Sequence, residues 1–168
     1  MTSWPLCHDV LETEVARVDV EELLSQRRSE VLDDAFAALQ RSAAVHYELS
    51  GEEFTRERLA ELFDIVVTAL HDRELAPVGS YAEGVAEHRF EAGFGISEVQ
   101  TAFNVMEEAM WRQAVVGVPA DELAEAVGLL GTILGFGKDA LARRYVSLSS
   151  QRHVPTLDLS ALFAGTQG

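Results

Sequence analysis

The sequence predicts an all-α protein, an antiparallel helical bundle of about five to six helices, of which a globin-like arrangement is one form. Apolar residues recur at steps of three and four over most of the chain. The prolines, Pro5, Pro77, Pro119 and Pro155, all lie where this periodicity stops. No segment shows the sustained alternation of apolar and polar residues that predicts a strand.

The first two predicted helices occupy the N-terminal half of the chain. One runs over residues 19–41 with Asp19 as its N-cap, and the loop AVHYELSG follows it. Ser50 is predicted to begin the second, because Ser50 and Glu53 have the spacing of a capping box. The apolar side of the second helix consists of Leu59, Leu62, Phe63, Val66, Val67 and Leu70.

Three further helices follow. The third runs from Pro77 to about Ala92, and its predicted inner face is Val78, Tyr81, Val85 and His88. Gly93 and Gly95 then form a corner around Phe94. The fourth helix covers residues 97–115, with the apolar stripe Val99, Phe103, Met106 and Met110. The fifth covers residues 121–150 after the linker VGVPAD.

The domain organisation follows from these elements. One helical domain is expected over residues 19–150, preceded by an arm or short helix at residues 1–18 and followed by a flexible tail at residues 151–168. The N-terminus has neither the basic nor the apolar region of a signal peptide. The single cysteine, Cys7, cannot form an internal disulfide, so a reducing, cytoplasmic setting is expected.

The charge of the chain argues against several classes of partner. Asp and Glu number 28 against 13 Lys and Arg, and the formal net charge is −15. No run of basic residues offers a surface for nucleic acid, and an anionic membrane would repel this chain. The longest charge-free apolar stretch is too short to span a bilayer. We therefore expect neither a nucleic-acid nor a membrane partner.

Motifs that carry catalysis or bind metals are missing from the sequence. None of the five histidines has a glutamate three residues before it, so the ligand pattern of di-metal bundles is absent. Nucleophile-elbow, Walker, dinucleotide-binding and His-Glu-x-x-His motifs are also absent. We expect no catalytic residue, no metal site and no cofactor, and a protein that is not an enzyme.

A ligand or signal pocket is one interpretation of the third and fourth helices. His88 follows Tyr81 and Val85 at helical spacing and is expected to face the core. There it is either a core histidine that donates one hydrogen bond or part of a small-ligand or haem site. Gln100 and Asn104, one turn apart, are candidates to line the same pocket.

His71 allows a second interpretation, phosphotransfer. The run HDRELAPV places an acid, an arginine and a proline after this histidine, as in the dimerisation helices of histidine kinases, but at slightly different distances. No segment that could bind ATP follows. The alternative is that His71 is a polar or cationic residue near the end of a helix.

The fifth helix contains an unusual set of glycines. Each glycine inside a helix costs ~1 kcal/mol relative to alanine, and Gly128, Gly131 and Gly135 share one face. This face predicts close packing within the subunit, the seam of a homodimer, or the floor of a pocket. For the dimer, the predicted seam adds Met106, Met110 and Trp111 of the fourth helix.

Three segments resemble a known family when taken in order. They are RLAELFDIVVTALHDRELAPVGSYAEGVAEHRFEAGF, GISEVQTAFNVMEEAMWRQAV and LGTILGFGKDALARRYVSLSSQ. Over residues 20–151 the chain resembles the N-terminal sensor-type domain of the RsbR/RsbRD co-antagonist proteins of bacterial stressosomes. The resemblance implies an all-α, globin-like or bundle domain that dimerises and binds partner proteins or a signal. It supplies no catalytic residues.

Such proteins normally continue into a STAS domain, whereas this sequence ends soon after the resemblance does, so it is either a stand-alone member or an excised domain. We therefore expect a non-enzymatic regulatory or sensory domain that acts through dimerisation and protein contacts in bacterial stress signalling. A phosphotransfer or kinase-like dimerisation bundle that uses His71, and a small-ligand or haem-binding domain, are the alternatives.

Overall fold

The computed structural model describes residues 19–42 and 45–153, which form seven helices and contain no strand. The all-α prediction is confirmed. The predicted arm at residues 1–18 and the chain beyond His153 lie outside the described residues. The helices are α1 (Val20–Gln26), α2 (Arg28–Arg41), α3 (Val45–Ser50), α4 (Glu52–Asp72), α5 (Ala76–Glu91), α6 (Ile96–Gly117) and α7 (Leu123–His153).

The first predicted helix is interrupted at Arg27, which separates α1 from α2. Its backbone (φ −103°, ψ 20°) leaves the helical region, although its N–H still donates to the carbonyls of Leu23 and Leu24. The Arg27 Nη1 donates to Oε1 of Gln113 at 2.8 Å. The interruption therefore coincides with a side-chain contact to α6.

The segment predicted as a loop before the second helix contains α3, which corrects two expectations. Ser50 is the last residue of α3, and Gly51, with φ 90°, is the N-cap of α4. The predicted capping box at Ser50 is therefore wrong. The buried Thr55 hydroxyl lies 2.9 Å from the carbonyl oxygen of Gly51 and 3.3 Å from that of Tyr47, and the bond to Tyr47 joins α3 to α4.

Helix α4 occupies the centre of the bundle, because it contacts each of the other helices in the described part of the chain. Its predicted apolar side is confirmed, with only Val67 half-buried rather than buried. The buried residues of α4 are Thr55, Leu59, Leu62, Phe63, Val66, Ala69 and Leu70.

Helices α6 and α7 run antiparallel. Phe103 lies beside Gly137, whereas Glu107, one turn further along α6, lies beside Gly131, which precedes Gly137 in α7. Lys138 adds an ion pair across this contact, since its Nζ lies 2.5 Å from Oε2 of Glu107. Chain neighbours joined by short connections thus pack in opposite directions, as predicted.

Helices α5 and α7 run in the same direction, with α6 connecting them. Gly79 of α5 faces Phe136, and eight residues further along both helices the Glu87 carboxylate accepts from Arg144 at 2.5 Å and 2.9 Å. This pair has the most extensive helix–helix contact in the described chain.

The close approach of α5 and α7 depends on two glycines. A Cβ placed on Gly79 would lie 2.9 Å from Cε1 of Phe136. A Cβ placed on Gly137 would lie 3.1 Å from Val78 and 3.0 Å from Phe103 of α6. At these distances a side chain fits only if its neighbours shift, so glycine at these positions favours the close packing of the three helices.

We predict that Gly137→Leu lowers the free energy of unfolding by about 1–3 kcal/mol, because the new side chain overpacks the contact with Val78 and Phe103. Gly84→Leu in α5 is the matched control, since a Cβ there meets no atom within 4 Å. The control should keep the wild-type stability or gain up to about 1 kcal/mol from helix propensity. Urea unfolding measures both, and equal stability of the two variants would contradict the packing argument.

Candidate functional site

The buried face of α5 is not the predicted one, because the helix is turned about its axis by about one residue. Its buried positions are Val78, Gly79, Ala82, Ala86 and Arg89. His88, expected to face the core, is exposed, and its Nδ1 lies 2.9 Å from the carbonyl oxygen of Gly84 in the preceding turn. The expectation of an inward histidine is therefore wrong, and an arginine occupies the interior instead.

The predicted pocket residues are not brought together. Tyr81 is half-buried and lines an internal cavity. Asn104 is exposed and accepts from Nζ of Lys138 at 3.2 Å, while Gln100 is half-buried. With His88 on the surface, only Tyr81 of the four predicted residues reaches the cavity.

The cavity, which we call the polar cavity, lies among α3, α4, α5 and α6 and has a volume of about 20 Å³. That is room for roughly one water molecule. Its apolar walls come from Leu59, Leu62, Val85, Val99, Ala102 and Phe103. Its polar walls come from Tyr47, Arg58, Tyr81 and Arg89. Two arginines and two tyrosines therefore line a small space whose other walls are hydrocarbon.

Arg89 is the most deeply placed charge of the described chain, with 9 % of its surface exposed. Its guanidinium carbon lies 4.6 Å from the centre of the Phe54 ring and 5.1 Å from that of Phe94. Its Nε–H is buried and has no hydrogen-bond partner. No carboxylate in residues 19–42 or 45–153 lies within ion-pair distance of it. Since arginine stays charged in proteins, the structure holds a buried cation against ring faces.

Arg58 contributes a second cation from α4, and its charge is compensated. Its Nη1 lies 2.9 Å from Glu61 and its Nη2 3.5 Å from Glu57. Its Nε–H, like that of Arg89, is buried without a hydrogen-bond partner. Two unpaired N–H donors therefore belong to residues that line the same small cavity.

The two tyrosines of the polar cavity are held in the protonated form. Burial raises the pKa of Tyr47, against the hydrogen bond and the charge of Arg89, which act in the opposite direction. Burial also raises the pKa of Tyr81, and the charge of Glu61 raises it further. Both hydroxyls therefore remain hydrogen-bond donors at physiological pH.

Sequence reasoning missed Tyr47, Arg58 and Arg89. A weak signal existed in α5, where Val78, Ala82, Ala86 and Arg89 also follow helical spacing. This second set of positions includes a charged residue, which is rarely buried, and it was not considered as a buried face. Tyr47 had been assigned to a loop, and no local pattern indicated its burial.

The structure corrects two of the α6 residues that were predicted to lie in the dimer seam. Met106 and Met110 are fully buried in the core of the single subunit, so neither forms part of its surface. Trp111 is 44 % exposed. Tight packing within the subunit was one interpretation of the α7 glycines. It does not hold at Gly128 and Gly135, where a Cβ would meet no atom within 4 Å.

His71 lies in the last turn of α4 and is exposed, with its Nδ1 3.1 Å from Oε2 of Glu21. The hydrogen bond to Glu21, followed by the charge of that carboxylate, raises the pKa of His71 above its ordinary value of 6.5. The geometry is that of a cationic side chain near a helix C-terminus, where the helix dipole also favours positive charge.

We predict that NMR titration of the His71 ring gives a pKa above 6.5. Glu21→Gln should bring it back towards that value, because the substitution removes the negative charge. Since the folded-state pKa is the raised one, the pair stabilises the fold fully below the ordinary pKa, and this contribution disappears as pH rises through the folded-state pKa. A pKa of His71 that is identical in the two proteins would contradict the ion pair.

In the described ranges, no group of three or more His, Cys, Asp or Glu side chains is arranged to hold a metal ion. None of the helices described here has the combination of length and apolarity needed to cross a membrane. The sequence matches no model of a protein family, and no curated protein sequence matches it either.

Proposed function

We propose that this protein is a non-enzymatic, cytoplasmic regulatory or sensory domain that acts by dimerising and by contacting other proteins. The resemblance to the sensor-type domains of stressosome proteins supports a role in bacterial stress signalling. The observation that carries the self-association is an exposed face of α7 built from small residues.

This face, the α7 stripe, consists of the exposed Ala124, Gly128 and Val146 and the half-buried Gly135 and Ala142. Gly128 and Val146 are separated by five full turns of about 3.6 residues each, so they have the same orientation on the helix. Val146 is 64 % exposed, which is unusual for a large apolar side chain. The stripe gives a smooth surface to which another helix can come close.

The glycines of the α7 stripe have no use inside the single subunit. Each one weakens the helix by ~1 kcal/mol relative to alanine. A Cβ at Gly79 or Gly137 would lie within 3.1 Å of a neighbouring side chain, whereas a Cβ at Gly128 or Gly135 would meet open space. A second helix that packs against the stripe supplies the missing reason for glycine.

Large apolar side chains of α6 lie next to this surface. Trp111 and Val115 follow Glu107 at four-residue steps, and a Cβ on Gly131 of α7 would lie 3.9 Å from the Glu107 carboxylate. Trp111 is 44 % and Val115 43 % exposed. Trp111, Val115 and the stripe therefore offer apolar area for a partner to cover.

A second copy of the chain is the proposed partner of the α7 stripe. In a two-fold symmetric dimer the same patch of each subunit meets its copy, and a flat row of small residues is complementary to itself. The resemblance supports the same conclusion, because the sensor-type domains it points to dimerise.

We predict a homodimer at tens of micromolar that Gly135→Leu converts to a folded monomer. The leucine blocks the approach of the second helix, while open space around the position spares the subunit itself. Sedimentation velocity measures the mass, and circular dichroism checks the fold. Gly84→Leu in α5 is the control and should remain dimeric. A wild-type protein that sediments as a monomer would refute the dimer.

The regulatory role is tested by the same pair of variants in the native host. Replacing the chromosomal copy with Gly135→Leu should change the induction of stress genes, whereas Gly84→Leu should leave it as in the wild type. Equal induction in both strains, with the Gly135→Leu protein shown to be monomeric, would separate dimerisation from stress signalling and overturn the proposed role.

A further inference from the structure

We propose that the polar cavity binds one small monovalent anion, of the size of chloride, between the side chains of Tyr47, Arg58, Tyr81 and Arg89. This inference is independent of the dimer and of any regulatory role.

The first argument is charge. Arg58 pairs with Glu61 at 2.9 Å and with Glu57 at 3.5 Å, whereas no carboxylate of the described residues forms an ion pair with Arg89. An unpaired charge that is nine-tenths buried is unfavourable unless something compensates it. The ring faces of Phe54 and Phe94 offer only part of the attraction that a full negative charge supplies. One monovalent anion in the cavity supplies the direct counter-charge that Arg89 lacks.

The second argument is hydrogen bonding. The Nε–H groups of Arg58 and Arg89 are both buried and unpaired, and arginine can only donate. The protonated hydroxyls of Tyr47 and Tyr81 line the same space and can donate as well. A halide accepts from all of these donors, and a water molecule can accept from the arginines while it donates to the tyrosine oxygens. The choice of an anion over water therefore follows from the buried charge of Arg89, which has no carboxylate in contact.

The third argument is size. A cavity of about 20 Å³ admits a particle comparable to a single water molecule. Chloride and bromide are close to this size, whereas sulfate, phosphate and organic carboxylates are too large. The apolar walls from Leu59, Leu62 and Phe103 leave little room for a larger group, so the site selects by volume as well as by charge.

Thermal unfolding of the full chain in sodium chloride and in sodium gluconate tests the proposal at equal ionic strength. Gluconate is too large for the cavity, so only chloride should raise the unfolding midpoint. A tenfold excess of chloride over its Kd should raise it by about 3–6 °C. Midpoints that are the same in the two salts at every concentration would overturn the proposal.

Variants distinguish anion binding in the polar cavity from a general effect of salt on the stability of the fold. Arg89→Met should abolish the difference between chloride and gluconate, because it removes the buried cation while keeping an unbranched side chain. Arg112→Met is the control: Arg112 is exposed and pairs with Glu108 at the surface, so the difference should remain. If Arg89→Met fails to fold, Tyr81→Phe removes one donor with little change in volume and should reduce the chloride effect.

Crystals grown in sodium bromide locate the ion directly through its anomalous scattering. The expected result is one peak within hydrogen-bond distance of the Arg89 Nε. A water molecule at that position, or a bromide peak without any chloride effect in solution, would overturn the proposal. A Tyr81→Phe protein with an undiminished chloride effect would contradict the assignment of that hydroxyl.

Discussion

The close approach of α5 to α7 is the constraint on which the rest of the fold depends. The face that α5 presents there is made of small residues, Gly79, Ala82 and Ala86, and this allows the extensive contact between the two helices. The ion pair between Glu87 and Arg144 lies further along the same contact. Because α5 is turned so that its small residues are buried, Arg89 is carried into the interior and His88 is left outside. The polar cavity is thus a consequence of how two helices pack.

Long helices with wide apolar faces were predictable from the sequence, and the reason is physical. In α6 the stripe from Val99 to Met110 is both continuous and large, so only one rotation buries it, and the structure has that rotation. In α5 the observed rotation buries small residues and leaves the larger Tyr81 and Val85 only half-buried. This rotation accompanies the glycine contact with α7, which is a tertiary effect that no local pattern contains. Because the rotation predicted for α5 was wrong, the predicted site contained His88, whereas the structure buries Arg89.

The short helix α3 and the start of α4 are the other elements that local sequence patterns did not predict. Ser50 and Glu53 have the spacing of a capping box, yet Gly51 caps α4 with a positive φ that glycine adopts readily. The preceding turn of helix is stabilised by Thr55, whose hydroxyl reaches back to Tyr47. This bond positions a tyrosine of the polar cavity, and it depends on a helix too short to be recognised by periodicity.

The buried cation and the acidic exterior act on each other. A chain of net charge −15 surrounds Arg89 with a negative field, which stabilises the guanidinium but also repels an anion approaching from solvent. Added salt screens that repulsion, because surface charges act over only ~10 Å at 0.1 M ionic strength. The same screening reduces the repulsion between the two acidic subunits of the proposed dimer. Higher ionic strength is therefore expected to favour both the proposed anion binding and the proposed dimerisation. A change of anion at constant ionic strength separates the two, because binding in the cavity depends on anion size and contact through the α7 stripe does not.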